Sequence, residues 1–163
     1  MTIDEIVRRV TSYQCRLVEI TGGEPLIQKE TPDLIYKLLE KDFEVLLETN
    51  GSIDISPVDI RCMKIVDIKC PSSGEVKKNY LDNLKKISER DEIKFVIASE
   101  EDYRYAKKIM FLIDNKIMPP IFSPVHNHMD PKRLAAWVLA DHIDVRIQLQ
   151  LHKIIWDPEM RGV

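Results

Sequence analysis

A double glycine followed by a carboxylate is the part of the sequence best suited to chemistry. Gly22, Gly23, Glu24 and Pro25 come directly after an apolar run that ends at Thr21. Two residues without side chains let a ligand approach the backbone closely, and the neighbouring carboxylate can accept hydrogen bonds from an ammonium group. The same residues also suit a tight turn between a strand and a helix. From the residues alone, a ligand-binding loop and a purely structural turn both remain open.

Three further polar clusters follow apolar runs in the same way. They are ETNG at positions 48–51, KCPSSG at 69–74 and SPVH at 123–126. If the runs are parallel strands, these clusters share the edge at which α/β folds bind their ligands. Structural roles remain open here too, because Asn50 and Gly51 suit a turn in left-handed conformations.

The cysteines and histidines do not form a recognisable metal or disulfide pattern. Cys15, Cys62 and Cys70 are odd in number and widely spaced, which argues against a disulfide framework. Reduced thiols are typical of a cytoplasmic protein, which is the predicted location. His126 and His128 lie two positions apart without a third ligand nearby, so we predict no metal site there.

Short apolar runs that could position these clusters alternate with helical patterns. The first four runs show little strict alternation of polar and apolar residues, as in parallel strands that are covered on both faces or line a barrel. The predicted strands are Leu17–Thr21, Glu44–Thr49, Lys64–Lys69, Glu92–Ala98, Pro120–Pro124 and Asp144–Gln150.

Helices are predicted between these strands. Thr2 and Glu5 have the spacing of a capping box that opens a helix running to about Thr11. Thr31 is predicted to cap the next helix, with Pro32 in its first turn. The remaining predicted helices are Asp33–Lys41, Lys77–Arg90, Glu100–Asn115 and Pro131–Asp141. Alternating strands and helices predict a parallel α/β fold.

Composition limits the class of protein. A chain of 163 residues with 44% hydrophobic residues can bury one core, so we predict a single domain over residues 1–163. A charged fraction of 31% and a net charge of −3 suit a soluble protein that binds no nucleic acid. No apolar run approaches the roughly 20 residues of a membrane-spanning helix.

Three motifs together resemble one enzyme family. The sequence TGGEP at 21–25 is similar to the motif with which radical S-adenosylmethionine enzymes hold the methionine amino group of the cofactor. With ETNG at 48–51 and QLQLHKIIW at 148–156, the chain resembles the 7-carboxy-7-deazaguanine synthases. The resemblance implies a partial (β/α) barrel, similar to a TIM barrel, of the radical S-adenosylmethionine type.

The family's activity is what the resemblance implies about function. These enzymes contract the ring of 6-carboxy-5,6,7,8-tetrahydropterin, a pterin substrate, to 7-carboxy-7-deazaguanine in 7-deazapurine biosynthesis, including that of queuosine. They use S-adenosylmethionine, a 4Fe-4S iron–sulfur cluster and Mg²⁺. The cleaved cofactor gives a 5′-deoxyadenosyl radical that abstracts a hydrogen atom from the substrate.

The resemblance also implies site residues at matching positions. The implied cofactor contacts, running from methionine to ribose to adenosine, are Gly22, Gly23, Glu24, Pro71, Ser72, Ser123 and Pro124. The implied substrate contacts are Thr21, Glu48, Asn50, Gln148 and His152. No catalytic residue and no metal ligand is assigned on this chain.

The sequence departs from the family at the cluster. The family's Cys-x3-Cys-x2-Cys loop and the Mg²⁺ ligand that follows it do not occur in this sequence. Residues 1–5 resemble the start of the family's first long helix, so we expect an N-terminally truncated barrel without its first strand. An internal methionine taken as the start, a truncated gene and a remnant without the chemistry are the three explanations. We therefore expect neither the cluster nor Mg²⁺ on this chain, and no synthase activity from it alone.

Two other functions remain as alternatives. One is a non-catalytic remnant that acts as a binding or assembly module. The other is a glycyl-radical-enzyme activase, which shares the glycine motif but should lack the C-terminal stretch. Because the strand Leu17–Thr21 would lose its usual neighbour, we expect a homodimer or larger oligomer.

Overall fold

Six parallel strands form one open sheet in the computed structural model, which describes residues 1–113, 118–157 and 160. The strands are β1 (Leu17–Ile20), β2 (Glu44–Thr49), β3 (Met63–Ile68), β4 (Glu92–Ile97), β5 (Ile121–Pro124) and β6 (Arg146–Ile147). Each strand pairs with the one before it in sequence, so β1 and β6 lie at the two edges of the described sheet. The predicted parallel α/β fold is confirmed.

Five helices accompany the sheet in the described part of the chain, namely α1 (Ile3–Ser12), α2 (Thr31–Leu39), α3 (Glu100–Met110), α4 (Pro131–Ala140) and α5 (His152–Ile155). Three of them, α2, α3 and α4, connect consecutive strands. Short 3₁₀ turns cover Pro25–Ile27, Pro71–Ser73, Val76–Lys78 and Leu81–Lys85. Within the described ranges, every helix is too short or too polar to cross a lipid bilayer.

The core lies between the sheet and the helices. Side chains alternate along β2 and β4, so that Val45, Leu47, Ile93 and Phe95 are buried while their neighbours are partly exposed or exposed. The buried residues form two clusters, one around β1, β2, α1 and α2 and the other around β3, β4, β5, α3 and α4. Leu26, just after the glycine motif, packs against both clusters.

The predicted capping box of the first helix is confirmed. The Thr2 hydroxyl accepts a hydrogen bond from the Glu5 amide at 3.3 Å, and the Glu5 carboxylate accepts one from the Thr2 amide at 2.7 Å. The prediction that Thr31 caps the second helix is wrong. Glu30 occupies the cap position, and the Thr31 hydroxyl instead donates to the carbonyl of Pro25 at 2.7 Å.

The predicted helix Lys77–Arg90 is also wrong, because two asparagine side chains bind the backbone of other loops. Asn79 accepts a hydrogen bond from the Lys69 amide and donates one to the Lys69 carbonyl. Asn83 binds the backbone of residues 51–55 in the same manner. Asparagine side chains that bind backbone groups in this way compete with helix formation. Only the short turns Val76–Lys78 and Leu81–Lys85 form here.

Two predicted elements are shorter in the structure by several residues. The strand predicted over 144–150 is reduced to Arg146–Ile147. The Gln148 amide still donates a hydrogen bond to the Phe122 carbonyl, but the chain then turns at Leu149–Leu151 and leaves the sheet. The helix predicted over Glu100–Asn115 ends at Met110, and its last two predicted residues lie outside the described ones.

Candidate cofactor and substrate site

The loops at the carboxyl ends of the strands surround a cavity of about 750 Å³, and we call this end of the sheet the mouth. All six strands are parallel, so each loop reaches the same edge. The cavity is lined by Glu48, Asp67, Lys69, Cys70, Ser72, Ser73, Lys94, Val96, Ala98, Asp102, Val125, His128, Gln150 and His152. Three of the residues implied by the resemblance therefore line this cavity, namely Glu48, Ser72 and His152.

The glycine pair lies exposed in the first loop of the mouth. Gly22 has a φ of +149°, a conformation that residues with side chains rarely adopt. Gly23 does not have a positive φ, and a Cβ added there would meet no atom within 4 Å. The first glycine is thus required by the backbone, whereas the second leaves open space where a ligand could approach.

Glu24 is buried and connects the first loop to the second. Its carboxylate accepts hydrogen bonds from the Thr49 hydroxyl at 2.8 and 2.9 Å, from the Asn50 amide at 2.7 Å and from the Leu26 amide at 3.0 Å. The carboxylate therefore holds the glycine pair in a fixed position relative to the end of β2.

The second loop is a tight turn, as the structural interpretation of ETNG predicts. The Asn50 side chain accepts a hydrogen bond from the Ser52 amide at 2.9 Å. Gly51 has a φ of +68°, and a Cβ there would lie 3.0 Å from a methyl group of Val66. Asn50 does not adopt a left-handed conformation, so that part of the prediction is wrong.

Charged side chains extend from the strands into the cavity. Lys94 on β4 donates to Glu48 on β2 at 2.8 Å, and Lys69 donates to Asp67 on β3 at 2.6 Å. The second carboxylate oxygen of Asp67, Oδ1, is buried and has no hydrogen-bond partner within the described ranges. Burial, with the adjacent Glu48 carboxylate, raises the pKa of Glu19 on β1 above its usual value. The cavity thus offers both charges to a polar ligand.

The C-terminal residues of the candidate site form a second, smaller cavity beside the first. Ser123 at the end of β5, Gln148 and His152 line a space of about 230 Å³ together with Lys94. Pro124 lines a separate space with His126 and His128. Lys94 and His152 line both this space and the main cavity, so the two cavities adjoin.

Sequence reasoning missed Asp67 and Lys94, although it placed Lys69 in one of the polar clusters at this edge. A signal for them existed, since charged residues that interrupt an apolar parallel strand are unusual and must face either a partner or a cavity. The runs MKIVDI in β3 and EIKFVI in β4 both contain such residues. The spacing alone did not show that they meet at one cavity.

The three cysteines lie apart. Cys15 is exposed, while Cys62 and Cys70 are buried in the two different core clusters. Burial raises the pKa of the Cys62 thiol to about 12 and that of Cys70 well above its usual range. In the described part of the chain, no three His, Cys, Asp or Glu residues are placed to hold a metal ion. The described residues do not fit a 4Fe-4S cluster or Mg²⁺.

Comparison with solved structures defines the class of fold. The chain superimposes on Streptococcus suis SuiB, solved with S-adenosylmethionine bound, with a TM-score of 0.67 and 12% identity over 92% of the chain and 42% of SuiB. A structure of SuiB bound to its precursor peptide SuiA gives a TM-score of 0.68 and 11% identity, again over 92% of the chain and 42% of SuiB. The chain therefore shares the fold of part of SuiB, an open, parallel six-stranded α/β sheet that is consistent with a partial TIM-like barrel.

Comparison with curated proteins identifies the family. The 7-carboxy-7-deazaguanine synthase of Chlorobaculum tepidum is 45% identical to the chain over 100% of the chain and 76% of that protein. The synthase of Koribacter versatilis is 43% identical, over 100% of the chain and 79% of that protein. No family model matches the chain. The chain belongs to the 7-carboxy-7-deazaguanine synthase family.

Proposed function

We propose that this chain binds S-adenosylmethionine and 6-carboxy-5,6,7,8-tetrahydropterin at the mouth of the sheet. These are the ligands of the ring contraction that gives 7-carboxy-7-deazaguanine in queuosine biosynthesis. The observation that carries the proposal is the 45% identity to a named synthase over the whole chain. The open glycine pair and a cavity of about 750 Å³, both at the carboxyl end of the sheet, support it, because both ligands are polar and of small-molecule size.

The cofactor is proposed to lie along the loops from β1 to β5. The exposed backbone of Gly22 and Gly23 would contact the methionine end of the cofactor. Glu24 would hold that loop in place through its hydrogen bond from the Asn50 amide. Pro71 and Ser72 would contact the ribose. Ser123 and Pro124 at the end of β5 would contact the adenosine.

The pterin is proposed to occupy the charged part of the cavity. A carboxylate such as that of Glu48 can accept hydrogen bonds from the amino-pyrimidine edge of a pterin, while Lys94 supplies a cation for the substrate carboxylate. Thr21, Asn50, Gln148 and His152 would complete the contacts from the surrounding loops.

Measurements of ligand affinity test the proposal. The described residues supply hydrogen bonds and no metal ligand, so we expect weak binding of S-adenosylmethionine, with a dissociation constant of about 100 μM or weaker. Gly23→Val should abolish binding without loss of stability, since its Cβ has free space in the protein but lies where the ligand would approach. NMR titration and thermal unfolding measure the two effects. Unchanged affinity in Gly23→Val, or no binding of either ligand by the wild-type protein, would contradict the proposal.

The second candidate function is ligand binding without catalysis, and the placement of the cysteines favours it. Two of the three thiols lie in separate parts of the core and the third is exposed. Formation of 7-carboxy-7-deazaguanine after anaerobic reconstitution with iron and sulfide would exclude it. The reduced thiols are consistent with a cytoplasmic location for either function.

We further propose that the chain forms a homodimer or larger oligomer through β1. In the described sheet β1 pairs only with β2, and Leu17 on it is 54% exposed. An unpaired apolar edge is a template for another chain, and a lysine on the edge discourages such pairing. Leu17→Lys should lower the mass measured by light scattering, whereas Val18 packs on the core and is unsuitable for this test. A monomeric wild-type protein would contradict the proposal.

A further inference from the structure

A buried carboxylate on α3 holds the third loop of the mouth. Asp102 is 0% exposed. Its Oδ1 accepts a hydrogen bond from the Ser72 amide at 2.8 Å, and its Oδ2 accepts hydrogen bonds from the Ala98 and Ser99 amides at 2.9 and 3.1 Å. One side chain thus joins the loop after β3 to the end of β4 and the start of α3.

Helix capping accounts for only part of this arrangement. Ser99 and Asp102 form a capping box, in which the Ser99 hydroxyl accepts from the Asp102 amide at 3.2 Å and Oδ2 accepts from the Ser99 amide. The hydrogen bond from Ser72 to Oδ1 adds nothing to that cap. The capping box of α1 shows the difference, because Glu5 there accepts from its cap residue Thr2 and is exposed.

The hydroxyl groups reinforce the same connection. The Ser72 and Ser99 hydroxyls lie 3.0 Å apart, and the Ser73 hydroxyl donates to the carbonyl of Cys70 at 2.6 Å. The turn Pro71–Ser73 is therefore held on both sides, with Ser72 and Ser73 lining the cavity. A loop fixed before the ligand arrives avoids the entropy loss of ordering it on binding.

We propose that Asp102 is a positioning residue for the nucleoside part of the cofactor. It holds the turn Pro71–Ser73 so that Ser72 faces the hydroxyl groups of a ribose. This inference rests on the proposed binding of S-adenosylmethionine. Asp102 itself acts through the backbone of Ser72 and does not bind the ligand.

The test compares two variants, Asp102→Asn and the control Glu5→Gln. Both change an acid to its amide at the third helical position of a capping box, but the box of Glu5 is remote from the mouth. An asparagine oxygen directed at the Ala98 and Ser99 amides leaves its NH₂ group facing the Ser72 amide. We expect Asp102→Asn to accelerate hydrogen exchange of that amide about tenfold and to weaken S-adenosylmethionine binding about tenfold. Pterin affinity should stay within about twofold, and Glu5→Gln should change none of the three quantities.

The possible results separate this inference from the proposed function. Equal affinity of the wild-type protein and Asp102→Asn for S-adenosylmethionine, or an equal loss of affinity for both ligands, would overturn the inference alone. Absence of binding by the wild-type protein would contradict the proposed function. If Asp102→Asn does not fold, Ser72→Pro is compared with Ser72→Ala. Both lack the hydroxyl and only the proline lacks the amide donor, so equal affinities of the two would overturn the inference.

Discussion

Replacing Asp91 with alanine is expected to lower the free energy of unfolding by about 3–5 kcal/mol, because it leaves the buried ammonium group of Lys64 without its counter-charge. Asp91 and Lys64 are 0% and 4% exposed, and their charged atoms lie 3.1 Å apart. Asp91 also accepts hydrogen bonds from the Lys64 amide at 2.7 Å and from the amide and hydroxyl of Ser88 at 2.8 Å each. The carbonyl of Cys62 would be the one remaining acceptor described for the ammonium group.

Urea unfolding followed by circular dichroism measures this loss. Asp82→Ala is the control, because Asp82 pairs with Lys85 at the surface and should contribute nothing measurable. A loss below about 1 kcal/mol in Asp91→Ala would show that water or a rearranged side chain replaces the carboxylate.

Glu24→Ala is expected to weaken both ligand binding and folding, with more than a tenfold loss of S-adenosylmethionine affinity. The carboxylate is the group that ties the glycine loop to Thr49 and Asn50. Without it the Asn50 and Leu26 amides lose their acceptor, so the free energy of unfolding should also fall by about 2–4 kcal/mol.

Glu30→Ala is the matched control for this variant. It makes the same change six positions later in the sequence, at the start of α2, where the exposed Glu30 side chain forms no capping hydrogen bond. Both affinity and stability should stay at the wild-type values. Wild-type affinity in Glu24→Ala would contradict the role given to the carboxylate.

The strands were predictable because each lies in a short run rich in Val, Ile and Leu, and helical patterns or turn residues separate these runs. The predicted boundaries of β1 and β4 differ from the observed ones by a single residue at one end. The region 77–90 was not predictable in this way. Its apolar spacing suits a helix, but the hydrogen bonds of Asn79 and Asn83 reach backbone groups far along the chain. Such long-range partners leave no local pattern.

The candidate site was predictable where a motif carries it and unpredictable where the register of strands creates it. The turn at the glycine pair was predictable from the sequence, because glycine tolerates the positive φ that Gly22 adopts in the structure. The meeting of Glu48 with Lys94 depends on how β2, β3 and β4 align, with Glu48 beside Ile65 and Lys94 beside Asp67. A shift of one residue would turn either side chain toward the helices.

The order of the strands has a consequence for how the protein is made. Each strand from β2 to β6 pairs with the strand synthesised just before it, so among the described strands only β1 waits for a later partner. The sheet can therefore grow from one edge as the chain leaves the ribosome, with each new strand added to a surface that is already folded. Chains are synthesised from the N-terminus at about 5–20 residues per second, so the early strands have seconds in which to form before the last ones emerge.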